Sequence, residues 1–296
     1  MQEFTNLINY CGTKYNSIPQ CKKCAMGECK KGCRVDCYNC LNHIHRYYNH
    51  TDHYSCEKIT YNYLLKHGHR YASEIAKAIS DIKPYLKPRQ LSDYVSIISV
   101  GCGPSTELYG GIEALSDMNV HYTGIDRNPI WKNIQEFNME NFKGSKHKVQ
   151  YSSIDFFEFV ESTTVQIDIL ILNYFFSDFV KFNKSETDEF IAKLASLIQN
   201  GKFNWVIIND IPLFYDKDTG YICMERLSQK AISTKEYRII ISRRRFSEPN
   251  QFQPTYGKKI DHSLFFPIIE PDVIAFEPFA SCNSIQQIIS INKIQL

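Results

Sequence analysis

The sequence predicts an α/β fold, in which a mostly parallel sheet of seven strands is covered by helices on both faces. Two observations favour it: strand-like apolar runs alternate with helix-like stripes, and glycine or acidic residues follow several of the runs. With 43% hydrophobic and 14% aromatic residues, the 296-residue chain can bury a core. The predicted strands cover residues 95–100, 120–125, 148–154, 167–173, 203–210, 236–243 and 286–293.

Helical patterns lie between these strands. Pro129 suits the first turn of a helix, Ser185 with Asp188 resembles a capping arrangement, and Gly201 lies where that helix should stop. Apolar residues also recur at helical spacing before the first strand, up to the breaks at Pro84 and Pro88. The predicted helices cover residues 57–80, 104–117, 129–142, 185–200 and 219–232.

Three segments are predicted along the chain. Residues 1–56 form a small cysteine-rich module stabilised by metal, residues 57–92 a helical linker, and residues 93–296 the core domain. Residues 244–284 are additional to a minimal core domain and are rich in proline and aromatic residues. They are either a lid over the substrate mouth or an insertion at the sheet edge.

A glycine turn follows the first predicted strand. The run Ser99-Val100-Gly101-Cys102-Gly103-Pro104-Ser105-Thr106-Glu107-Leu108 joins apolar residues to a predicted helix. Its two glycines let the backbone bend where a Cβ would collide, and the helix offers free N–H groups to a ligand. Because Thr106 replaces the third glycine, the run does not fit a dinucleotide fingerprint, and it lacks the Gly-Lys-Ser/Thr of a phosphate-binding loop.

This run resembles the first motif of the class I S-adenosylmethionine-dependent methyltransferases, which have a Rossmann-like sheet. Further matches follow at three later strand ends: Asp126, Asp155-Phe156 and Asn173-Tyr174-Phe175-Phe176. The resemblance covers about residues 90–295. It implies that Asp126 accepts hydrogen bonds from the ribose hydroxyls and that Asp155 and Phe156 hold the adenine. The implied cofactor-binding residues are Ser99, Gly101, Cys102, Gly103, Asp126, Arg127, Asp155, Phe156 and Asn173.

Two positions differ from this family. Ser99 stands where an acidic residue is frequent, and Ser105 stands where a glycine is frequent. The resemblance also implies that residues at the fourth strand end face the substrate. Asn173 and Tyr174 are therefore candidate catalytic residues, with Asn173 accepting from an exocyclic amine and either Tyr174 or Phe176 stacking on a base. The alternative is that Asn173 only lines the cofactor pocket and the aromatic residues pack under a loop.

A cysteine cluster near the N-terminus predicts a metal site. Two Cys-x2-Cys pairs bracket two further cysteines, and clustered thiolates repel each other without a cation. Zinc is the predicted ion, with an iron–sulfur cluster as the alternative. The segment has few aliphatic residues, so metal binding would supply folding free energy. The predicted ligands are Cys21, Cys24, Cys29, Cys33, Cys37 and Cys40, with Cys11 and Cys56 as further possibilities.

The charge is uneven along the chain. The overall net charge is +2, but residues 1–90 hold 14 Lys and Arg against 7 Asp and Glu, a net charge of +7. This asymmetry favours an anionic partner for the N-terminal half, with RNA preferred to DNA. The sequence has no apolar run of 18 residues and no secretory signal, so a cytoplasmic protein that does not contact membranes is expected.

The sequence therefore predicts a methyltransferase that uses S-adenosylmethionine. Two alternatives remain for its substrate: nucleic acid recruited through the basic module, or a small molecule or protein side chain with a purely structural module. A third possibility is cofactor binding without turnover.

Overall fold

The computed structural model describes residues 1–18, 56–86, 94–164, 166–212, 219–248, 255–269 and 277–294. Elements are numbered in order along these ranges. The strands are β1 Tyr94–Val100, β2 Asn119–Ile125, β3 Lys148–Ser152, β4 Ile167–Asn173, β5 Phe203–Asp210, β6 Tyr237–Arg245, β7 Lys258–Lys259 and β8 Ile285–Lys293. The α-helices are α1 Gln2–Ser17, α2 Glu57–Ile82, α3 Thr106–Ala114, α4 Lys132–Asn141, α5 Phe156–Ser162, α6 Phe175–Phe182, α7 Thr187–Gln199 and α8 Gly220–Lys230.

The strands form one mixed sheet in the order β3-β2-β1-β4-β5-β8-β6-β7. The five strands from β3 to β5 are parallel, and β8 runs antiparallel to both β5 and β6. The chain moves outward from β1 to β3 and then returns to β4 on the other side of β1. This reversal creates a crevice at the carboxyl ends of β1 and β4, where ligands bind in open α/β sheets.

Helices cover both faces of the sheet, as predicted. Because side chains alternate along a strand, neighbouring residues such as Ile97 and Ile98 point to opposite faces. Ile97 and Ile169 belong to a core shared with α1, α2, α3 and α4, whereas Ile98 belongs to a core shared with α5, α6, α7 and α8. Every residue of β4 except Asn173 is buried, which suits a parallel strand in the middle of a sheet.

Helices α2 and α3 are in very close contact. A Cβ added to Gly110 of α3 would lie 2.4 Å from the backbone oxygen of Ala72 in α2, so only glycine fits there. Helix α1, within the segment that the sequence analysis assigned to the cysteine-rich module, packs against α2 through Phe4, Leu7 and Ile8. Residues 2–17 and 57–82 thus share the core that covers one face of the sheet.

The sequence placed every long strand to within two residues of its observed ends. Within the described ranges the sheet has eight strands instead of the seven predicted, because Lys258–Lys259 add a two-residue edge strand to β6. Helices α1, α5 and α6 were missed. Helix α3 begins at Thr106 and not near Pro104, because Ser105 has a left-handed backbone (φ 61°, ψ 48°) that a helix cannot include.

The candidate metal ligands from Cys21 to Cys40 lie outside the described residues. Within the described ranges, no group of three or more His, Cys, Asp and Glu side chains is arranged to hold a metal ion. Cys11 is fully buried in the core around α1, where loss of solvent raises the pKa of its thiol well above the usual value. Among the helices that the structure describes, none combines the length and the apolar character required to cross a membrane.

Candidate active site

The glycine turn after β1 adopts a conformation that requires its glycines. Gly101 and Gly103 have left-handed backbones, with φ of 61° and 48°. A Cβ on Gly101 would also lie 2.7 Å from the ring of Phe175. The N–H of Gly101 donates to the backbone oxygen of Ile125 at 2.8 Å, which fixes the turn to the end of β2. The turn therefore presents bare backbone at the crevice between β1 and β4.

Asp126, at the end of β2, is held by this turn. Its Oδ2 accepts from the N–H of Gly103 at 2.7 Å, and its Oδ1 accepts from the N–H of Asn128 at 2.8 Å. Burial raises the pKa of the carboxyl group, while these two N–H donors act in the opposite direction. Each oxygen keeps a lone pair for a further donor, so Asp126 can accept a pair of hydroxyl groups.

Asp155, at the start of α5, is the second acid at this edge. Its Oδ1 accepts from the N–H groups of Phe157 and Glu158, at 2.8 and 3.3 Å, and so caps α5. Its Oδ2 forms an ion pair of 2.5 Å with the guanidinium of Arg127. Phe156, the next residue, is buried in the core under α5. The capping bonds fix the carboxylate of Asp155 at the carboxyl end of β3.

These residues line one cavity of about 620 Å³. It lies at the crevice between β1 and β4, and its size is that of a small-molecule site. Ser99 is the exception among the predicted cofactor-binding residues, because it does not line the cavity. The predicted residues that do line it are Gly101, Cys102, Gly103, Asp126, Arg127, Asp155, Phe156, Asn173 and Tyr174.

Ser99 lies behind Glu107, a buried acid that the sequence analysis did not select. The hydroxyl groups of Ser99 and Tyr122 donate to Oε1 of Glu107 at 2.7 and 2.8 Å. Oε2 accepts from the Thr106 hydroxyl at 3.5 Å. Burial raises the pKa of Glu107, and the two shorter hydrogen bonds oppose that shift. Glu107, on α3, therefore supplies a carboxylate to the cavity close to Ser99, which has no carboxylate of its own.

Asn173 and Tyr174, at the end of β4, bring a different set of contacts to the cavity. Oδ1 of Asn173 accepts from the side-chain amide of Asn209 at 3.1 Å, which orients it. Tyr174 has a left-handed backbone (φ 56°), which is uncommon for a bulky residue and typical of functional sites. Its ring stacks on Tyr71 of α2 with 3.9 Å between centroids. The hydroxyl of Tyr174 donates to Glu74 at 2.8 Å.

Glu74 anchors this side of the site from α2. It is fully buried, and loss of solvent raises the pKa of its carboxyl group to about 7. Its second oxygen accepts from the N–H of Asn283 at 2.8 Å, so one carboxylate joins α2, the end of β4 and the segment before β8. These bonds fix the ring of Tyr174 against Tyr71.

Asp178, on α6, is another acid that lines the cavity. It accepts no hydrogen bond from the described residues. Burial is the main cause that raises the pKa of the nearby Tyr71 phenol, and the charge of Asp178 adds to that shift. Burial raises the pKa of Asp178 itself to about 6, which Lys181 opposes and Asp126 reinforces. Asp178 thus offers an acceptor to a ligand beside the aromatic rings.

Several lining residues were not predicted. Tyr63, Tyr71 and Trp131 form an aromatic wall with Tyr174, and Phe175 and Phe179 lie on the side of α6. Whether these residues line the cavity depends on how α2 and α6 pack. The (i, i+8) spacing of Tyr63 and Tyr71 does place these two residues on one helix face. None of the described residues in 244–284 lines the cavity. Those at 265, 266, 279 and 283 hydrogen bond to α2 instead.

Comparisons with known proteins give similarity of overall structure alone. No family model matches the sequence, and no curated protein matches it. Among solved structures, the human methyltransferase 10 domain containing protein is 12% identical with a TM-score of 0.42, over 75% of this chain and 81% of its own. Precorrin-6y C5,15-methyltransferase from Geobacter metallireducens GS-15 is 11% identical with a TM-score of 0.39, over 73% and 87%. Scores this low carry no argument about function.

Proposed function

We propose that this chain binds S-adenosylmethionine and transfers its methyl group to an acceptor in the cavity. The observation that carries the proposal is the convergence of the glycine turn, Asp126 and Asp155 on one cavity. They lie at three neighbouring carboxyl ends of a parallel sheet, beside the reversal of strand order. A nucleoside with two ribose hydroxyls matches the free lone pairs of Asp126.

The residues present fit this cofactor. Gly101 and Gly103 leave room for a ligand at the turn, and Asp126 has acceptor capacity left. Glu107 brings a buried carboxylate that suits the cationic amino group of a methionine. When bound, the cofactor supplies an activated methyl group on a sulfonium. The chain's own task is to align the acceptor with that methyl group and to exclude water.

Asn173 and Tyr174 are proposed to contact the acceptor from the end of β4. The bond from Asn209 orients the amide of Asn173, and the bond to Glu74 fixes the ring of Tyr174. Both side chains are held by other groups, which favours positioning of the acceptor over proton transfer.

Recruitment of RNA or DNA through the basic N-terminal half remains a prediction from the sequence, as does zinc binding by Cys21 to Cys40. The predicted zinc ligands lie outside the described ranges, and the basic half lies partly within them. Metal analysis of the purified chain tests the zinc site, and we expect at least one zinc ion per chain. A folded protein that contains no metal would contradict this expectation.

The proposed function is tested by calorimetry with S-adenosylhomocysteine, the demethylated product. We expect binding by the unmodified chain and an affinity reduced about 100-fold in Asp126→Ala, since two hydrogen bonds to a charged acceptor are lost. Asp188→Ala is the control, because this exposed carboxylate pairs with Arg226 away from the cavity. Absence of binding, or equal affinity in Asp126→Ala, would remove the basis of the proposal.

A further inference from the structure

The described residues that line the cavity are predominantly acidic. Six carboxylates line it against two basic side chains, Arg127 and Lys193. Both basic groups are paired, with Asp155 at 2.5 Å and with Glu189 at 2.8 Å. A cleft lined by one sign of charge concentrates ligands of the opposite sign. Glu107 and Asp126 are assigned to the cofactor, and Asp155 and Glu189 are in ion pairs. The carboxylates that remain, Asp178 and Glu186, favour a cationic acceptor over a phosphate. The six carboxylates are Glu107, Asp126, Asp155, Asp178, Glu186 and Glu189.

An aromatic wall lies on the α2 side of the cavity, formed by Tyr63, Tyr71, Trp131 and Tyr174. Tyr71 stacks on Tyr174 at 3.9 Å between centroids, and Tyr63 contacts Trp131 and Tyr71 at 5.7 and 5.9 Å. Tyr71 and Trp131 are almost fully buried, and Tyr174 is fixed by its hydrogen bond to Glu74. Rigid aromatic faces bind flat rings and cations with little loss of side-chain entropy.

Asp178 links the acidic lining to the aromatic wall. It interacts electrostatically with Tyr71 on one side and with Asp126 on the other. Because its carboxylate accepts no hydrogen bond from the described residues, it is available to a ligand. Its place on α6, five residues beyond Asn173, puts it at the carboxyl end of β4, next to the proposed acceptor site.

We propose that the methyl acceptor is a small amine with a flat ring, which lies on the aromatic wall while Asp178 binds its nitrogen. This inference rests on the proposed methyl transfer. The ammonium form gives a proton to Asp178, and the freed nitrogen lone pair forms a bond to the methyl carbon. The carbon–sulfur bond breaks and its electron pair goes to sulfur, so charge and atoms balance. Asp178 then returns its proton to solvent.

Three probes separate the contribution of the flat ring from that of the positive charge. Tryptamine carries a ring and a positive charge, indole-3-propionate the same ring with a negative charge, and n-butylamine the charge without a ring. Each is titrated by calorimetry into the full chain saturated with S-adenosylhomocysteine. We expect tryptamine to bind at least about tenfold more tightly than either other probe, a difference of about 1.4 kcal/mol.

The variant Asp178→Asn should lower the affinity for tryptamine to that for indole-3-propionate. It should bind S-adenosylhomocysteine within about threefold of the unmodified chain, and Asp188→Asn, an exposed carboxylate-to-amide change, should alter neither ligand. With S-adenosylhomocysteine bound normally, equal binding of tryptamine and indole-3-propionate would overturn the acceptor assignment alone.

A second assay supplies labelled S-adenosylmethionine to the full chain with either tryptamine or total RNA. Label in tryptamine but not in RNA supports the assignment. Label in RNA but not in tryptamine overturns it in favour of a nucleic-acid acceptor, while the proposed function stands. If S-adenosylhomocysteine itself does not bind, the proposed function fails, and the acceptor assignment fails with it.

Discussion

The two sides of the cavity are built in different ways. On the turn side, Gly101, Gly103 and Asp126 come from one strand–turn–helix–strand unit, and backbone hydrogen bonds hold them. On the acceptor side, Tyr71 and Tyr174 meet across about a hundred residues of chain, and side-chain contacts join them. Local geometry thus determines the first side, whereas the second depends on the packing of whole helices.

Because of this difference, the two sides should respond differently to amino-acid substitution. Substitution in the turn should impair binding of the cofactor while the fold persists. Substitution at the contacts of α2 with its neighbours should displace the aromatic wall, with loss of stability.

The largest effect is expected for Gly110→Ala, at the contact between α3 and α2. The new Cβ would meet the Ala72 backbone oxygen at 2.4 Å, so α2 must move away. We expect a loss of about 3 kcal/mol in the free energy of unfolding, measured by urea denaturation. Gly68→Ala in α2 is the control, since its nearest contact is an ordinary 3.6 Å and alanine favours helix. Equal stability of the two variants would show that α2 is not fixed at this contact.

A smaller effect, confined to the turn side, is expected for Gly101→Ala. Its left-handed backbone costs alanine about 1–2 kcal/mol, and the Cβ would collide with Phe175. We expect affinity for S-adenosylhomocysteine to fall about 100-fold, by calorimetry. Gly144→Ala has a similar positive φ of 78° with no atom within 4 Å, so it should lose stability but keep its affinity. Equal affinities in the two variants would contradict a role for the turn.

The contrast between the two sides also sets how much the sequence could predict. Strand β4 was predicted with its observed bounds, since a central parallel strand needs apolar residues at nearly every position. Helix α6 was missed because it begins two residues after β4, where Tyr174 reverses the backbone in a left-handed conformation. The turn residues were found from their local pattern.

The residues of the acceptor side had no comparable local pattern in the sequence. Glu74 lies in an ordinary helical stripe, and only the fold brings it to Tyr174 and Asn283. Asp178 lies on the helix that was missed. Ser99 was selected by position within the motif, but the structure places Glu107 between it and the cavity. Pairings across a hundred residues or more depend on tertiary packing, which a single sequence does not display.

The smallest expected effect is the dependence of folding stability on pH, which arises from the buried acids. Burial raises the pKa values of Glu74 and Asp210 to about 7, so the folded state binds protons that the unfolded state releases above pH 5. Stability should therefore fall as pH rises from 6.5 to 8, by about 1 kcal/mol for each group. Below pH 6.5, His69 acts in the opposite direction, because burial lowers its pKa to about 4.

Glu74→Gln tests the share of this pH dependence that arises on the acceptor side. Glutamine keeps an acceptor for the N–H of Asn283 and cannot titrate, so the decrease in stability between pH 6.5 and 8 should shrink by about half. Urea denaturation at several pH values measures it, with Glu161→Gln as an exposed comparison whose profile should match the unmodified chain. An unchanged profile in Glu74→Gln would mean that Glu74 titrates in the folded state as in the unfolded state. The carboxylate that fixes Tyr174 would then be less isolated from water than its burial indicates.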